Sequence, residues 1–218
     1  MSRHPVCLVR RAADGLSSLP AADLPAWSAA HAISWGDPPY TTWFRALWSD
    51  TALAIRFDAS DVEPWWTMAR RDDRLWEEEV VEIFLDPARR GNGYAELEIS
   101  PGNVVCDLRV RRPWPQLDSD PAWHIDGLDT AVTPFRGPDA GPDGWTAIAR
   151  LPWTGLQPIA PGIEMPPRPG QRWGFNVFRI KRPLGPEQPR EDVRLLAWSP
   201  TGAPSFHVPA AFRDLVFE

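Results

Sequence analysis

Glu82 is the carboxylate that its neighbours single out. In the stretch Val80 to Leu85, Val81, Ile83 and Leu85 share one face of an extended chain while Val80, Glu82 and Phe84 share the other, so an ionisable group sits between bulky apolar side chains. A carboxylate in that setting is costly unless something hydrogen-bonds to it, which makes it a candidate for ligand contact. A second concentration of charge lies on Tyr94 to Val110. Ala95, Leu97 and Ile99 alternate with Tyr94, Glu96 and Glu98, Pro101-Gly102-Asn103 supplies a turn, and Val104, Cys106, Leu108 and Val110 are the apolar set of the return strand. With Gly102-Asn103 as a two-residue turn, Glu96 lies opposite Arg109 and Glu98 opposite Asp107 on one polar face. The first is an ordinary cross-strand ion pair. The second sets like charges together and predicts a neighbouring cation: an arginine, another basic side chain, or calcium.

Tryptophan is the third source of chemistry, with 13 in a chain that has 2 Tyr. The indole face stacks on the axial C–H groups of a pyranose while its N–H makes a hydrogen bond, so sugar sites favour it. Core filling accounts for most of them in a β protein, leaving at most about four for a ligand. Other chemistries have less to work with. Cys7 and Cys106 read as separate buried thiols, the 4 His show no metal-ligand spacing, and no Gly-x-Ser-x-Gly occurs. Glycoside hydrolysis needs two carboxylates about 5–9 Å apart across a cleft. Glu98 and Asp107 are close enough on the expected pairing but lie on a sheet surface, so a non-catalytic role is expected.

The elements that must carry these residues are strands. Thr42 to Trp48 and Ala52 to Asp58 form a hairpin with Leu53, Ile55 and Phe57 on one face. Trp145 to Leu151, Arg172 to Ile180, Arg194 to Trp198 and Phe212 to Phe217 also alternate, with Trp173 and Trp198 read as core. Asp61 to Trp76 is the one stretch that could hold a turn or two of helix, and the proline-rich stretches Pro20 to Pro25, Pro134 to Pro142 and Pro158 to Pro169 read as loops. Many short strands and little helix predict an all-β fold, a two-sheet antiparallel β-sandwich of immunoglobulin-like or jelly-roll-like type, as a single domain over 1–218.

Charge bounds the partners. With 23 basic against 29 acidic residues the net charge is −6, which offers no footprint for a phosphate backbone or anionic lipid, so neither nucleic acid nor membrane is expected. The opening MSRHPVCLVRR lacks the apolar core of a secretory signal. The chain as it stands reads as soluble and cytoplasmic, and as exported if the true N-terminus is missing. Oligomeric state is not legible.

Several motifs in order resemble the family-9 carbohydrate-binding modules. They are WFRALWSDTALAIRF at Trp43 to Phe57, LWEEEVVEIFLDP at Leu75 to Pro87, YAELEISPGNVVCDLRV at Tyr94 to Val110 and DGWTAIARLPW at Asp143 to Trp153. WGFNVFRI at Trp173 to Ile180, AWSP at Ala197 to Pro200 and SFHVPAAF at Ser205 to Phe212 complete the set. The resemblance implies a saccharide clamped between two aromatic rings, with a Glu and an Arg hydrogen-bonding its hydroxyls. Trp76 matches the first ring, Glu82 the carboxylate and Arg109 the arginine. Phe206, followed by His207, stands where the second ring is usually Trp, which keeps the stacking face but loses the indole N–H. Arg213 stands where relatives usually carry Gly. Calcium is implied as a structural ion, with Asp58, Asp61 and Asp86 at strand ends as its candidates. The wider superfamily also implies an alternative, haem b held by axial Met with Lys or His, for which Met68, Met165, Lys181 and His207 are available. A protein-interaction sandwich with a degenerate sugar site is a third reading.

Overall fold

The computed structural model describes residues 5–12, 16–135, 143–187 and 192–218. The described strands are β1 (Val6–Arg11), β2 (Ala32–Trp35), β3 (Thr42–Trp48), β4 (Ala52–Ser60), β5 (Val80–Asp86), β6 (Tyr94–Ile99), β7 (Val105–Arg112), β8 (Asp118–Asp120), β9 (Asp129–Phe135), β10 (Gly144–Pro152), β11 (Arg172–Lys181), β12 (Arg194–Ala197) and β13 (Arg213–Phe217). One sheet runs β8-β7-β6-β5-β11-β13-β1, with β12 continuing along β11 beyond β13; the other runs β1-β3-β4-β10-β9, with β2 on β3. Pairing is antiparallel except at β1. That strand lies parallel to β13 through Val6 to Val9, then crosses to lie parallel to β3 at Arg10 and Arg11, so it joins the two sheets.

The alternation of the sequence becomes the core. Val81, Ile83, Leu85, Ala95, Leu97 and Ile99 from one sheet pack on Phe44, Ala46, Trp48, Leu53, Ile55 and Phe57 from the other, with Trp173 fully buried among them. Phe175 lies against Trp198, ring centroids 5.2 Å apart. Both sheets are covered on their other faces too, the second by Leu16 and Trp27 over Leu47, Ala54 and Ile148. On the first sheet the cover holds two clusters. Val80, Cys106, Leu108 and Ile180 form one of them, and Phe84, Tyr94, Val110 and Phe178 the other. Double coverage is why β5 reads as a near-continuous apolar run, every residue of it buried.

Two expectations are refined and two change. The Asp61 to Trp76 stretch is loop up to a single 3-10 turn, Leu75–Glu77, at its end; the short α-helices among the described residues are α1 (Ala26–Ala29) and α2 (Trp153–Leu156). Pro134 belongs to β9 rather than a loop, and 136–142 lie outside the described residues. The two-sheet antiparallel sandwich holds with one refinement, since β1 enters beside two strands in parallel. The β6–β7 register is also one residue from the expected one. Ser100 N–H donates to the Val104 carbonyl (2.9 Å) around a three-residue loop with Asn103 at φ 59°. That loop shifts every pairing: Glu98 faces Cys106, Glu96 faces Leu108, and Leu97 faces Asp107. Gly102 lets the Trp66 ring lie against the loop, since a Cβ there would stand 2.2 Å from the indole nitrogen and displace the ring.

Candidate functional site

The register places acidic side chains where the pattern would put apolar ones. Phe178, Glu82, Glu98 and Cys106 form one row across β11, β5, β6 and β7, and Asn176, Phe84, Glu96 and Leu108 the next. Glu82, Glu96 and Glu98 are 2%, 4% and 0% exposed, and they bring an oxygen each to within 4.8 Å of one another. Among the described residues Glu82 Oε1 and Glu96 Oε2 have no hydrogen-bond partner, and the Glu98 carboxyl has only the Glu96 carboxyl and the Trp76 N–H near it as partners. Burial pushes the Glu82 and Glu98 carboxyls well above the carboxylate range and the Glu96 carboxyl up to about 7, with mutual repulsion adding to the effect on Glu82 and Glu98. Such a cluster is stable only with protons, or with a ligand that supplies donors.

A cavity of about 610 Å³ opens over these carboxyls, floored by Glu82, Glu96, Glu98, Leu108 and Ile180. One wall is the 3-10 turn. Leu75 is buried beneath it and holds Trp76 at the rim, 37% exposed, with the Arg74 guanidinium 5.6 Å from its ring and ion-paired to Glu77 at 2.8 Å. The loop leading to this turn is tied by Glu78, whose carboxylate accepts the Thr67 and Met68 N–H groups at 2.9 and 3.1 Å. The other wall is the segment before β13. Phe206 stacks on Phe178 with centroids 4.3 Å apart, and His207 stacks on Phe84 at 4.8 Å. His207 Nδ1 shares a hydrogen bond of 3.0 Å with the Tyr94 hydroxyl, and its Nε2 lies 4.0 Å from Glu96. Burial lowers the His207 pKa to about 4, so the ring is neutral near pH 7 and presents one nitrogen toward the carboxyls. The Trp114 N–H donates to the His207 carbonyl (3.1 Å) and fixes the segment.

Of the residues singled out from sequence, Trp76, Glu82, Glu98, Phe206 and His207 meet around this one cavity. Asp107 and Arg109 do not. The one-residue shift turns both to the opposite face of the sheet, paired with Leu97 and Ala95. There Asp107 accepts the Ile125 N–H at 2.6 Å, is bonded by Arg71, and lies 3.5 Å from His124 Nδ1; Arg109 lies beside Gly93 and faces Asp120 of β8. Arg71 is the cation beside Asp107, and it pairs with Asp107 and Asp72 and not with Glu98. Glu96 was assigned to an ion pair with Arg109 and instead joins the carboxyl cluster. The three-residue loop is what conceals this from the sequence, since Pro-Gly-Asn permits either turn length.

The other groups implied by family resemblance fit less well. Asp58 is held by Arg45 (2.8 Å), Arg56 (2.7 Å) and Thr146 (2.7 Å), and Asp61 by Arg179 (2.6 Å) and Lys181 (2.7 Å), so neither carboxylate suits calcium. Asp86 accepts the Gly91 N–H at 2.7 Å. The haem ligand candidates are dispersed. Lys181 is buried in its ion pairs with Asp61 and Glu79, Met165 packs on the main core, Met68 lies in the cluster under Leu75, and only His207 lines the cavity. A separate groove of about 480 Å³, lined by Trp43, Arg45, Arg56, Asp58 and Trp27, lies on the outer face of the second sheet.

Against known proteins, no family model matches the chain. An extracellular protein of the fungus Arthroderma benhamiae is 26% identical over 192 residues, which span 82% of this chain and 79% of that protein. A Bacteroides uniformis protein proposed to bind carbohydrate superposes with a TM-score of 0.72 at 14% identity, over 99% of this chain and all of its own. A family-9 carbohydrate-binding module from Caldicellulosiruptor kristjanssonii, solved with cellotriose, superposes with a TM-score of 0.66 at 14% identity, over 98% of this chain and 94% of its own. A structure of such a module from the same organism with glucose gives 0.63 at 13% identity, over 98% and 96%. The chain has the β-sandwich fold of the family-9 modules.

Proposed function

We propose that this protein binds a mono- or oligosaccharide without altering it, in the cavity over β5 and β6. The observation that carries the reading is a floor of buried carboxyl oxygens lacking partners beneath an aromatic rim. Polyhydroxylated rings match that combination, since hydroxyl donors satisfy the acceptors while the C–H face packs on the rings. Trp76 and Phe206 take the stacking role, Glu82, Glu96 and Glu98 accept hydroxyl protons, and the free His207 nitrogen supplies one more polar contact. The carboxyls lie together on one side of the cavity instead of flanking it, so none faces another across a bond to be cleaved. One site of this size on a small polar ligand supports a dissociation constant of roughly micromolar to millimolar.

The printed ligands of the similar modules, cellotriose and glucose, support the same class of ligand. The extracellular relative supports export, and a core containing both Cys7 near the start and Phe217 near the end supports one domain over 1–218. The test is a titration with glucose, cellobiose, xylose and galactose, followed by tryptophan fluorescence and heat, with Trp76→Ala beside the wild type. Saturable binding that weakens at least about tenfold in the variant is expected, a loss of about 1.4 kcal/mol. No response to any sugar would overturn the reading.

A further inference from the structure

The floor of the cavity is more acidic than neutral hydroxyls require. Three buried carboxyls converge within 4.8 Å, Glu82 is 2% exposed with Oε1 unpartnered among the described residues, Glu98 is fully enclosed, and all three line the same aromatic-walled cavity. Most basic residues that could have neutralised them are directed elsewhere, and Arg182, which also lines the cavity, is not among the groups that shift the three carboxyls. Arg71 bonds Asp107 and Arg109 faces Asp120, both on the far face of the sheet, while Arg74 at the rim pairs with Glu77. His207, the basic group nearest to Glu96, is kept neutral by burial.

A hydroxyl donates one proton, so a neutral sugar leaves most of these oxygens unsatisfied or obliges them to stay protonated. An ammonium carries three donors and a positive charge in one atom, which is the number and sign that three convergent carboxyls call for. We propose that the preferred ligand is a sugar bearing a primary amine, a 2-amino-2-deoxyhexose or its oligomer, with its nitrogen among Glu82, Glu96 and Glu98 and its ring against Trp76 and Phe206. This rests on the carbohydrate reading above and narrows it. It also implies discrimination: acetylation removes the charge and two donors, and a carboxylated sugar brings repulsion into a site of low dielectric.

The experiment is calorimetric titration of the whole chain with glucosamine and its β-1,4 trimer, the N-acetylated trimer, cellotriose and glucuronate, each in EDTA and then in calcium chloride. The amine trimer is expected to bind at least about tenfold tighter than cellotriose or the acetylated trimer, with glucuronate weakest and calcium without effect. Glu98→Gln should reduce the preference for the amine while cellotriose binding changes less; if that variant does not fold, the wild-type ranking of amine against acetamide decides alone. Equal affinity for the amine trimer and cellotriose overturns the inference and leaves the sugar site standing. Calcium binding with heat that Glu98→Gln abolishes, and no preference among sugars, overturns it in favour of a metal site. Silence toward every sugar removes the carbohydrate reading itself.

Discussion

Glu82 of β5 and Glu98 of β6 face each other in register, each no more than 2% exposed, and burial and mutual repulsion raise both carboxyls. Directly opposed like charges weaken a sheet, and burial without partners adds a desolvation cost. A pair like this persists where the ligand, not the fold, needs it.

Removing one member should therefore stabilise the empty protein. Glu98→Gln keeps the shape, deletes a buried acid, and is expected to raise the melting temperature at pH 8 by about 3 °C, roughly 1 kcal/mol for a chain of this size. Differential scanning calorimetry without ligand checks this; a lower melting temperature would mean that the carboxyl is structurally supported.

The same cluster sets the direction of pH dependence. In the unfolded chain Glu96 ionises at its ordinary 4.5, whereas in the fold it keeps its proton to about 7, and Glu82 and Glu98 are raised as well. The folded state then holds more protons than the unfolded one across this window, so stability falls as pH rises through it. His207 acts oppositely, its pKa lowered from 6.5 to about 4, and costs stability as pH falls through that range. Above pH about 6.5 the raised carboxyls contribute, with Glu79, pushed by burial to about 7, adding to the cluster in the same direction, and the melting temperature is expected to drop by about 5 °C between pH 6.5 and 8. Glu98→Gln should flatten the slope. A melting curve that improves over this interval would contradict the buried cluster.

Arg109 offers a test of the register. Its side chain lies on the face away from the cavity, so Arg109→Ala should leave saccharide affinity within about twofold of wild type. A tenfold loss by fluorescence titration would return the arginine to the site and the β6 and β7 pairing to a two-residue turn.

Asp61 ties the interior at the other side of the same sheet. It bonds Arg179 and Lys181, all three 3% exposed or less, and Lys181 also pairs with Glu79 at 2.6 Å. Removing one partner of a buried ionic network strands the rest, so Asp61→Ala is expected to cost about 3–5 kcal/mol. The midpoint of urea unfolding measures this, and a change below about 1 kcal/mol would show that Arg179 and Lys181 find other partners.

Much of the sandwich was legible because alternation is a local signal. Leu53, Ile55 and Phe57 point inward as their spacing says, and Glu82 stood out because its neighbours are apolar on both sides. Strands with a mixed pattern were missed: β2 pairs only at an edge, β8 is three residues of Asp, Ser and Asp, and β9 contains a proline. The lining of the cavity was half legible. Trp76, Glu82, Glu98, Phe206 and His207 line one cavity, but the length of one turn carries Asp107 and Arg109 to the other face and leaves Glu96, expected to pair with Arg109, among the carboxyls. No local pattern could show that Phe206 would stack on Phe178, since that contact joins the segment before β13 to the centre of β11.

The most direct measurement is backbone amide NMR of the uniformly labelled protein during titration with a saccharide that binds. Shifts centred on Trp76, Glu82, Glu96, Glu98, Phe206 and His207 are predicted, with Arg109 and the outer groove at Trp43, Arg45 and Asp58 unaffected. Shifts gathered on that outer groove instead, with the carboxyl cluster silent, would contradict the account.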